Sequence, residues 1–192
     1  MGLLYYDSLP NGQEYLQRVK NSDIICSGTA GLEEVYDQLK DVYITVSFVS
    51  VAFVDFDVLA QNNVKISNAP GINRHAVSEW IIWAMLLIAR DFNSFLNSNE
   101  NYRNDGNVPP LNPGLTGKNL TILGNGNTSK QLTRLARAFD LNITVYKRGD
   151  DLYESVAEAD YIVNALSSNQ STHNLLDEEF FLAVKKLRHL LI

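Results

Sequence analysis

"NLTILGNGNTSKQLTRLARAFDLNITVYKRGD", residues 119–150, carries in order an apolar run, a turn with two glycines, an amphipathic run, a second apolar run and two cations. Leu120, Ile122 and Leu123 predict a buried strand, and the apolar spacing over Thr128–Phe139 predicts a helix. Asp140 follows where a chain leaving a helix often needs a left-handed residue, a conformation Asp tolerates better than most. Residues 124–129, Gly-Asn-Gly-Asn-Thr-Ser, fill the six positions of a G-x-G-x-x-G fingerprint, with serine in place of the last glycine. In that fingerprint the first glycine makes the tight turn and the second lets backbone approach a pyrophosphate. The third allows close packing of helix on strand. Both ligand-facing glycines, Gly124 and Gly126, are present, and Asn127, Thr128 and Ser129 open a helix whose N–H groups suit a phosphate. A purely structural strand-turn-helix would read the same way in isolation. The second strand, ending about twenty residues on at Tyr146, completes the βαβ unit and favours a dinucleotide site. Lys147 and Arg148 then stand where an acidic residue would hold a ribose. Cations there suit a 2′-phosphate, so NADP(H) is expected in preference to NAD(H). The plainer alternative is two solvated cations paired with Asp150 and Asp151.

Outward from this unit, short β-rich runs alternate with helical ones, the rhythm of an α/β fold with parallel sheets. Strands are expected at 3–7, 23–27, 42–49 and 64–67, with helices in "GQEYLQRVK" and "LEEVYDQLK" between them. A helix from about Asn73 past Arg90 is apolar nearly all round and must be covered on most sides. Residues 101–117, rich in Asn, Pro and Gly, read as a linker, after which the alternation resumes through "DLYESVAEA", "DYIVNAL", "DEEFFLAVKK" and "LRHLLI". The expected domains are 1–72, small and flavodoxin-like, and 73–192, a Rossmann nucleotide-binding domain.

The 192 residues are 45% apolar and 20% charged, a globular composition, with a net charge of −6. That charge and a pI near 5.0 argue against nucleic acid or an anionic membrane as partner. Lone Cys26 reads as a buried core thiol in a reducing compartment, and the N-terminus lacks the basic region of a signal peptide. A cytoplasmic location follows as the expectation. "WIIWAMLLIA", 80–89, is about half the ~20 residues a membrane span requires. His75, His173 and His189 have no carboxylate at dyad spacing and read as surface or cap residues. Glu33-Glu34 and Glu178-Glu179 suit first turns of helices, and no metal site is expected.

"ISNAPGINRHAVSEWIIWAMLLIARDF", the Pro/Gly linker and the run from "LTGKNLTILGNG" to "LRHLLI" resemble the D-isomer-specific 2-hydroxyacid dehydrogenases over roughly residues 42–192. The ordered anchors are Asn68, Pro70-Gly71, Asn73, Val77, Glu79, Leu87, Arg90, Gly117-Lys118, the glycine turn, Ala138-Phe139, Ala159-Asp160, Thr172 and Lys185. The resemblance implies two domains flanking a cleft, a nicotinamide cofactor, a homodimer, and hydride transfer to or from a 2-hydroxyacid or 2-ketoacid such as glyoxylate, hydroxypyruvate or phosphoglycerate. It places a carboxylate-binding loop at Ser50, Val51 and Ala52, with alanine where glycine is usual. Ala165, Leu166, Ser167 and Thr172 fall in a loop that lies against the cofactor, with serines where a proline is usual. The family's substrate-binding arginine, its glutamate and its general-acid histidine all fall beyond Ile192. The chain is therefore expected to be a truncated dehydrogenase, inactive as these 192 residues alone. The rival expectation is a non-catalytic nucleotide-binding or scaffold relative, and a plainer one is an α/β domain that binds no nucleotide.

Overall fold

A computed structural model describes residues 3–92 and 114–184, together with the backbone of 189–191. The expected linker lies outside the described residues as far as 113, as do Lys185 and the His189 side chain. The chain divides into two compact units, Met1–Ile72 and Asn73–Ile192.

The first unit alternates α1 (Gly12–Val19), β1 (Ile24–Ser27), α2 (Leu32–Val35, continued by a 3-10 turn), β2 (Tyr43–Val46), α3 (Phe56–Gln61) and β3 (Lys65–Ser67). Its strands form a parallel sheet in the order β1-β2-β3, with Ile25 opposite Ile44 and Ile44 opposite Ile66. One face of this sheet is sealed by Tyr15, Leu32, Val35, Leu39 and Leu59. The Tyr15 hydroxyl lies 2.9 Å from Ser27 Oγ within that layer, and burial pushes the phenol above the usual tyrosine range. The period of two along a strand sends alternate residues to the opposite face. Cys26 lies there, exposed, together with half-exposed Ile24 and Tyr43, which corrects the expectation of a buried thiol.

No strand forms at 3–7. Leu3, Leu4 and Tyr5 are exposed, and the segment is tied to α1 instead. The Arg18 guanidinium lies 4.6 Å from the Tyr6 ring centroid and donates to the Ser8 carbonyl at 2.6 Å. α3 is a helix that periodicity alone does not reveal, because it has only six residues. Asp55 starts it, its carboxylate accepting from the N–H groups of Asp57 and Val58.

The second unit contains α4 (Arg74–Ala89), β4 (Asn119–Leu123), α5 (Asn127–Arg137), β5 (Asn142–Tyr146), α6 (Leu152–Val156), β6 (Tyr161–Asn164), α7 (Glu178–Val184) and β7 (His189–Leu191). The parallel sheet runs β5-β4-β6-β7, with Leu120 between Ile143 and Tyr161. Ile81, Met85, Leu132 and Ala136 from α4 and α5 cover one face. Val156, Phe180 and Val184 from α6 and α7 pack with Leu123 and Ile162 on the other. A strand buried on both faces reads as a nearly continuous apolar run, which is why "LTIL" was recognisable. Thr121 is its polar exception, and its hydroxyl donates to the Ser155 carbonyl at 2.8 Å.

Asp140 takes the left-handed conformation expected of it, with φ 55°. Lys118 and Asp160, two of the family anchors, act structurally: the Asp160 carboxylate pairs with Lys118 Nζ at 3.4 Å and accepts from Asn119 N–H at 2.9 Å. They fasten the start of β4 to the start of β6, at the sheet edge away from the glycine turn. α4 is less enclosed than its composition suggests, since Trp80 and Trp83 are each 52% exposed.

Candidate dinucleotide site

The chain leaves β4 toward β5 on one side and later returns to β6 on the other. Open α/β sheets bind ligands outside the carboxyl ends of strands at such a reversal, where the two exits leave a crevice. Gly124 lies at this reversal with φ 107°. A β-carbon there would stand 2.8 Å from the Ala165 carbonyl oxygen, so the exit of β6 demands glycine. Ala165 N–H in turn donates to the Leu123 carbonyl at 2.9 Å.

Gly126 is governed by different constraints. It caps α5 with φ −83°, an ordinary conformation for any residue, and an added β-carbon would meet nothing within 4 Å. The clearance lies directly ahead of the helix. The helix's first backbone bond runs from Lys130 N–H to the Gly126 carbonyl at 3.1 Å, and the N–H groups of Asn127, Thr128 and Ser129 precede it without intrahelical acceptors. An exposed turn, open space at Gly126 and a helix N-terminus together fit a pyrophosphate.

Ser129, at the third glycine position, is 1% exposed, and its hydroxyl has no hydrogen-bond partner among the described residues. It is packed inward, away from the opening, beside the contact where Ser78 Oγ lies 2.6 Å from the Arg74 carbonyl and 3.2 Å from that of Thr128. A buried, unpaired hydroxyl in a helix is unfavourable on two counts, lost hydration and lower helix propensity than alanine. Ser129→Ala is therefore expected to stabilise the chain by about 1 kcal/mol in urea unfolding; destabilisation would show that the hydroxyl is satisfied.

Lys147 and Arg148 begin the turn after β5, next to the glycine turn, where Gly124 N–H donates to the Tyr146 carbonyl at 3.0 Å. Asp150 makes no ion pair with either of them. Its carboxylate accepts from the backbone N–H of Lys147 at 2.8 Å, closing the turn, while Asp151 caps α6 by accepting from Glu154 N–H at 2.9 Å. Neither cation has a carboxylate partner among the described residues. Arg148 Nη2 instead donates to Ser171 Oγ at 3.2 Å.

Ser171 belongs to the loop after β6, where Ala165, Leu166, Ser167 and Thr172 also lie. Thr172 Oγ1 donates to the Ser167 carbonyl at 2.6 Å, so this side chain braces its own loop. An open pocket of about 280 Å³ forms here, lined by Asn164, Leu166, Ser167, Thr172, His173 and Asn174 among others. Sequence reading passed over Asn164 and Ser171, and took His173 for a surface or cap residue. Asn164 has a local role, its Oδ1 accepting from Leu166 N–H at 3.1 Å.

Ser50, Val51 and Ala52 stand in a turn of the first unit. Ala52 N–H donates to Ser50 Oγ at 3.2 Å, and Asn68 Nδ2 holds the preceding Val49 carbonyl at 2.6 Å. Ala52 is absent from the positive-φ residues, so its β-carbon imposes no left-handed strain on this loop. No carboxylate hydrogen-bonds to His75 or His173, and no group of three or more metal-ligating side chains converges, among the described residues.

Residues 82–191 match the family model of the D-isomer specific 2-hydroxyacid dehydrogenase NAD binding domain. A Staphylococcus saprophyticus protein provisionally named a 2-hydroxyacid dehydrogenase is 26% identical over 194 residues, covering 91% of this chain and 61% of its own length. An acyclic imino acid reductase solved with NADPH and D-Arg superposes with a TM-score of 0.71 at 22% identity, covering 89% of this chain and 59% of that one. The NAD+-bound 3-phosphoglycerate dehydrogenase of Entamoeba histolytica gives 0.63 at 20% identity, covering 85% and 52%. The structural matches establish a shared fold. The chain spans 32%, 61% and 64% of the lengths of three curated relatives it matches.

Proposed function

Because the chain belongs to the D-isomer specific 2-hydroxyacid dehydrogenase family, we propose that its second unit binds a nicotinamide dinucleotide, NADPH in preference to NADH, as part of an oxidoreductase acting on a small 2-hydroxyacid or 2-ketoacid. The observation that carries the reading is the clearance at Gly126, where an added β-carbon would meet nothing within 4 Å, at the head of α5. The N–H groups of Asn127, Thr128 and Ser129 hold a pyrophosphate, and Gly124 brings the β6 exit against the turn. Lys147 and Arg148 receive a 2′-phosphate. Ala165, Leu166, Ser167 and Thr172 border the bound cofactor. When bound, the nicotinamide gives or takes a hydride at the carbon bearing the substrate's hydroxyl or keto oxygen.

The first unit supplies a substrate-carboxylate loop at Ser50, Val51 and Ala52, in which Ser50 and Val51 offer backbone N–H groups while Ala52 N–H returns to Ser50 Oγ. The chain is proposed to work in a reducing, cytoplasmic setting that suits an exposed lone thiol. The non-catalytic scaffold reading shares the cofactor site and differs only in lacking substrate chemistry.

The cofactor preference is tested by titrating NADPH and NADH against the wild-type chain and Arg148→Ala. A charge-assisted bond of ~1.5–3 kcal/mol corresponds to about one to two decades of affinity. NADPH is expected to bind tighter by that margin, and Arg148→Ala to remove it; equal affinities, or tighter NADH binding, would defeat the preference.

The outer face of α4 is proposed to form a homodimer interface. Trp80 and Trp83 stand there with ring centroids 6.4 Å apart, an apolar surface of the kind that isologous dimers bury. Light scattering at micromolar concentration is expected to return twice the 21.5 kDa chain mass; a monomer would remove the interface.

A further inference from the structure

We propose that Ser171 is a positioning residue for Arg148 and, through it, sets the preference for a dinucleotide bearing a 2′-phosphate; the inference rests on the cofactor-site reading above. The sheet order β5-β4-β6 puts the exits of β5 and β6 on opposite sides of the β4 glycine turn. The bond from Arg148 Nη2 to Ser171 Oγ joins residues 23 apart in sequence and ties one exit to the other.

The polarity of this contact is set from behind. Ser171 Oγ lies 2.6 Å from Asn169 Oδ1 and donates its single proton there, since an amide oxygen only accepts. Its lone pairs are left for a donor, which Arg148 supplies. Asn169 is itself held: Oδ1 also accepts from Ser171 N–H at 2.9 Å, and Nδ2 donates to the Ser167 carbonyl at 3.0 Å. The Thr172 hydroxyl closes the same loop by donating to that carbonyl.

Arg148 is otherwise exposed on a turn, where a long side chain samples many rotamers and loses that freedom when it grips an anion. A serine that already accepts one of its five donors restricts the guanidinium beforehand and leaves the remaining donors for phosphate oxygens. Lys147, beside it in the turn, has no such brace among the described residues. The two cations therefore divide the work, Arg148 as an oriented fork and Lys147 as a point charge.

The test is a paired titration of NADPH and NADH, by nucleotide fluorescence, against the full chain and its Ser171→Ala, Ser171→Thr, Arg148→Ala and Ser171→Ala/Arg148→Ala variants. Ser171→Ala is expected to weaken NADPH by about three- to tenfold with NADH unchanged, Ser171→Thr to restore it, and the Ser171 change to have no effect once Arg148 is gone. Equal weakening of both cofactors, an unchanged or tighter NADPH constant, or an undiminished effect in the Arg148→Ala background would overturn the proposal. If Arg148→Ala removes an NADPH preference that Ser171→Ala leaves intact, the positioning role alone fails. If the wild-type chain shows no preference, the cation reading fails and the positioning role with it.

Discussion

Gly126→Val is expected to lower NADPH affinity by about 100-fold or more while the fold survives. The valine side chain would occupy the clearance ahead of α5, where an added β-carbon now meets nothing within 4 Å. A pyrophosphate pushed away from that turn loses about two charge-assisted N–H bonds, roughly 3 kcal/mol together, which is the predicted two decades. Gly126 has φ −83° and makes no close backbone contact, so the substitution introduces no strain. Calorimetric titration reads the affinity, and circular dichroism with a melting curve reads the fold. Retained affinity would exclude this turn as the phosphate platform; unfolding would mean that Gly126 serves the fold instead.

Gly124→Ala is expected to do the opposite, destabilising the chain by about 3 kcal/mol or more, from a strained φ together with a backbone clash. At φ 107° an alanine is strained in any surroundings, and here its β-carbon would press on the Ala165 carbonyl at 2.8 Å, a backbone atom with β6 behind it. Urea unfolding measures the loss; a change below about 1 kcal/mol would mean that the β6 exit gives way readily. Two glycines separated by a single residue thus have separable duties, one toward the fold and one toward a ligand.

What the sequence made legible was local. The run 119–150 announces its strand, turn, helix and second strand because each signal lies within a few residues of the element it specifies. Asp140 at the helix end is recognisable for the same reason. The segment 3–7 misled because an apolar, aromatic run has strand propensity wherever it lies, and nothing within it shows that Arg18 will engage Tyr6 and Ser8. α3 escaped notice since six residues are too few for a helical period to repeat, although Asp55 was the available signal. Cys26 was misjudged because a strand in an α/β protein is expected to be covered on both faces, whereas only one face of β1-β2-β3 is sealed among the described residues.

The candidate site divides along the same line. Gly124, Gly126 and the cations after β5 follow from spacing alone. The contact between Arg148 and Ser171 does not, because it depends on β5 and β6 both lying beside β4, a consequence of chain reversal rather than of neighbouring residues. Nor does composition reveal that Asp150 and Asp151 accept from backbone N–H groups, with no ion pair to Lys147 or Arg148 among the described residues. Nor does spacing reveal that Ser129, at the third glycine position, is buried at the helix start with its hydroxyl unpaired among the described residues.

The most direct test of the dinucleotide platform is calorimetric titration of the purified 192-residue chain with NADPH. Saturable binding at one site per chain, with a dissociation constant in the micromolar range, is the predicted result; no saturable heat up to millimolar NADPH, from a chain that circular dichroism shows to be folded, would contradict it.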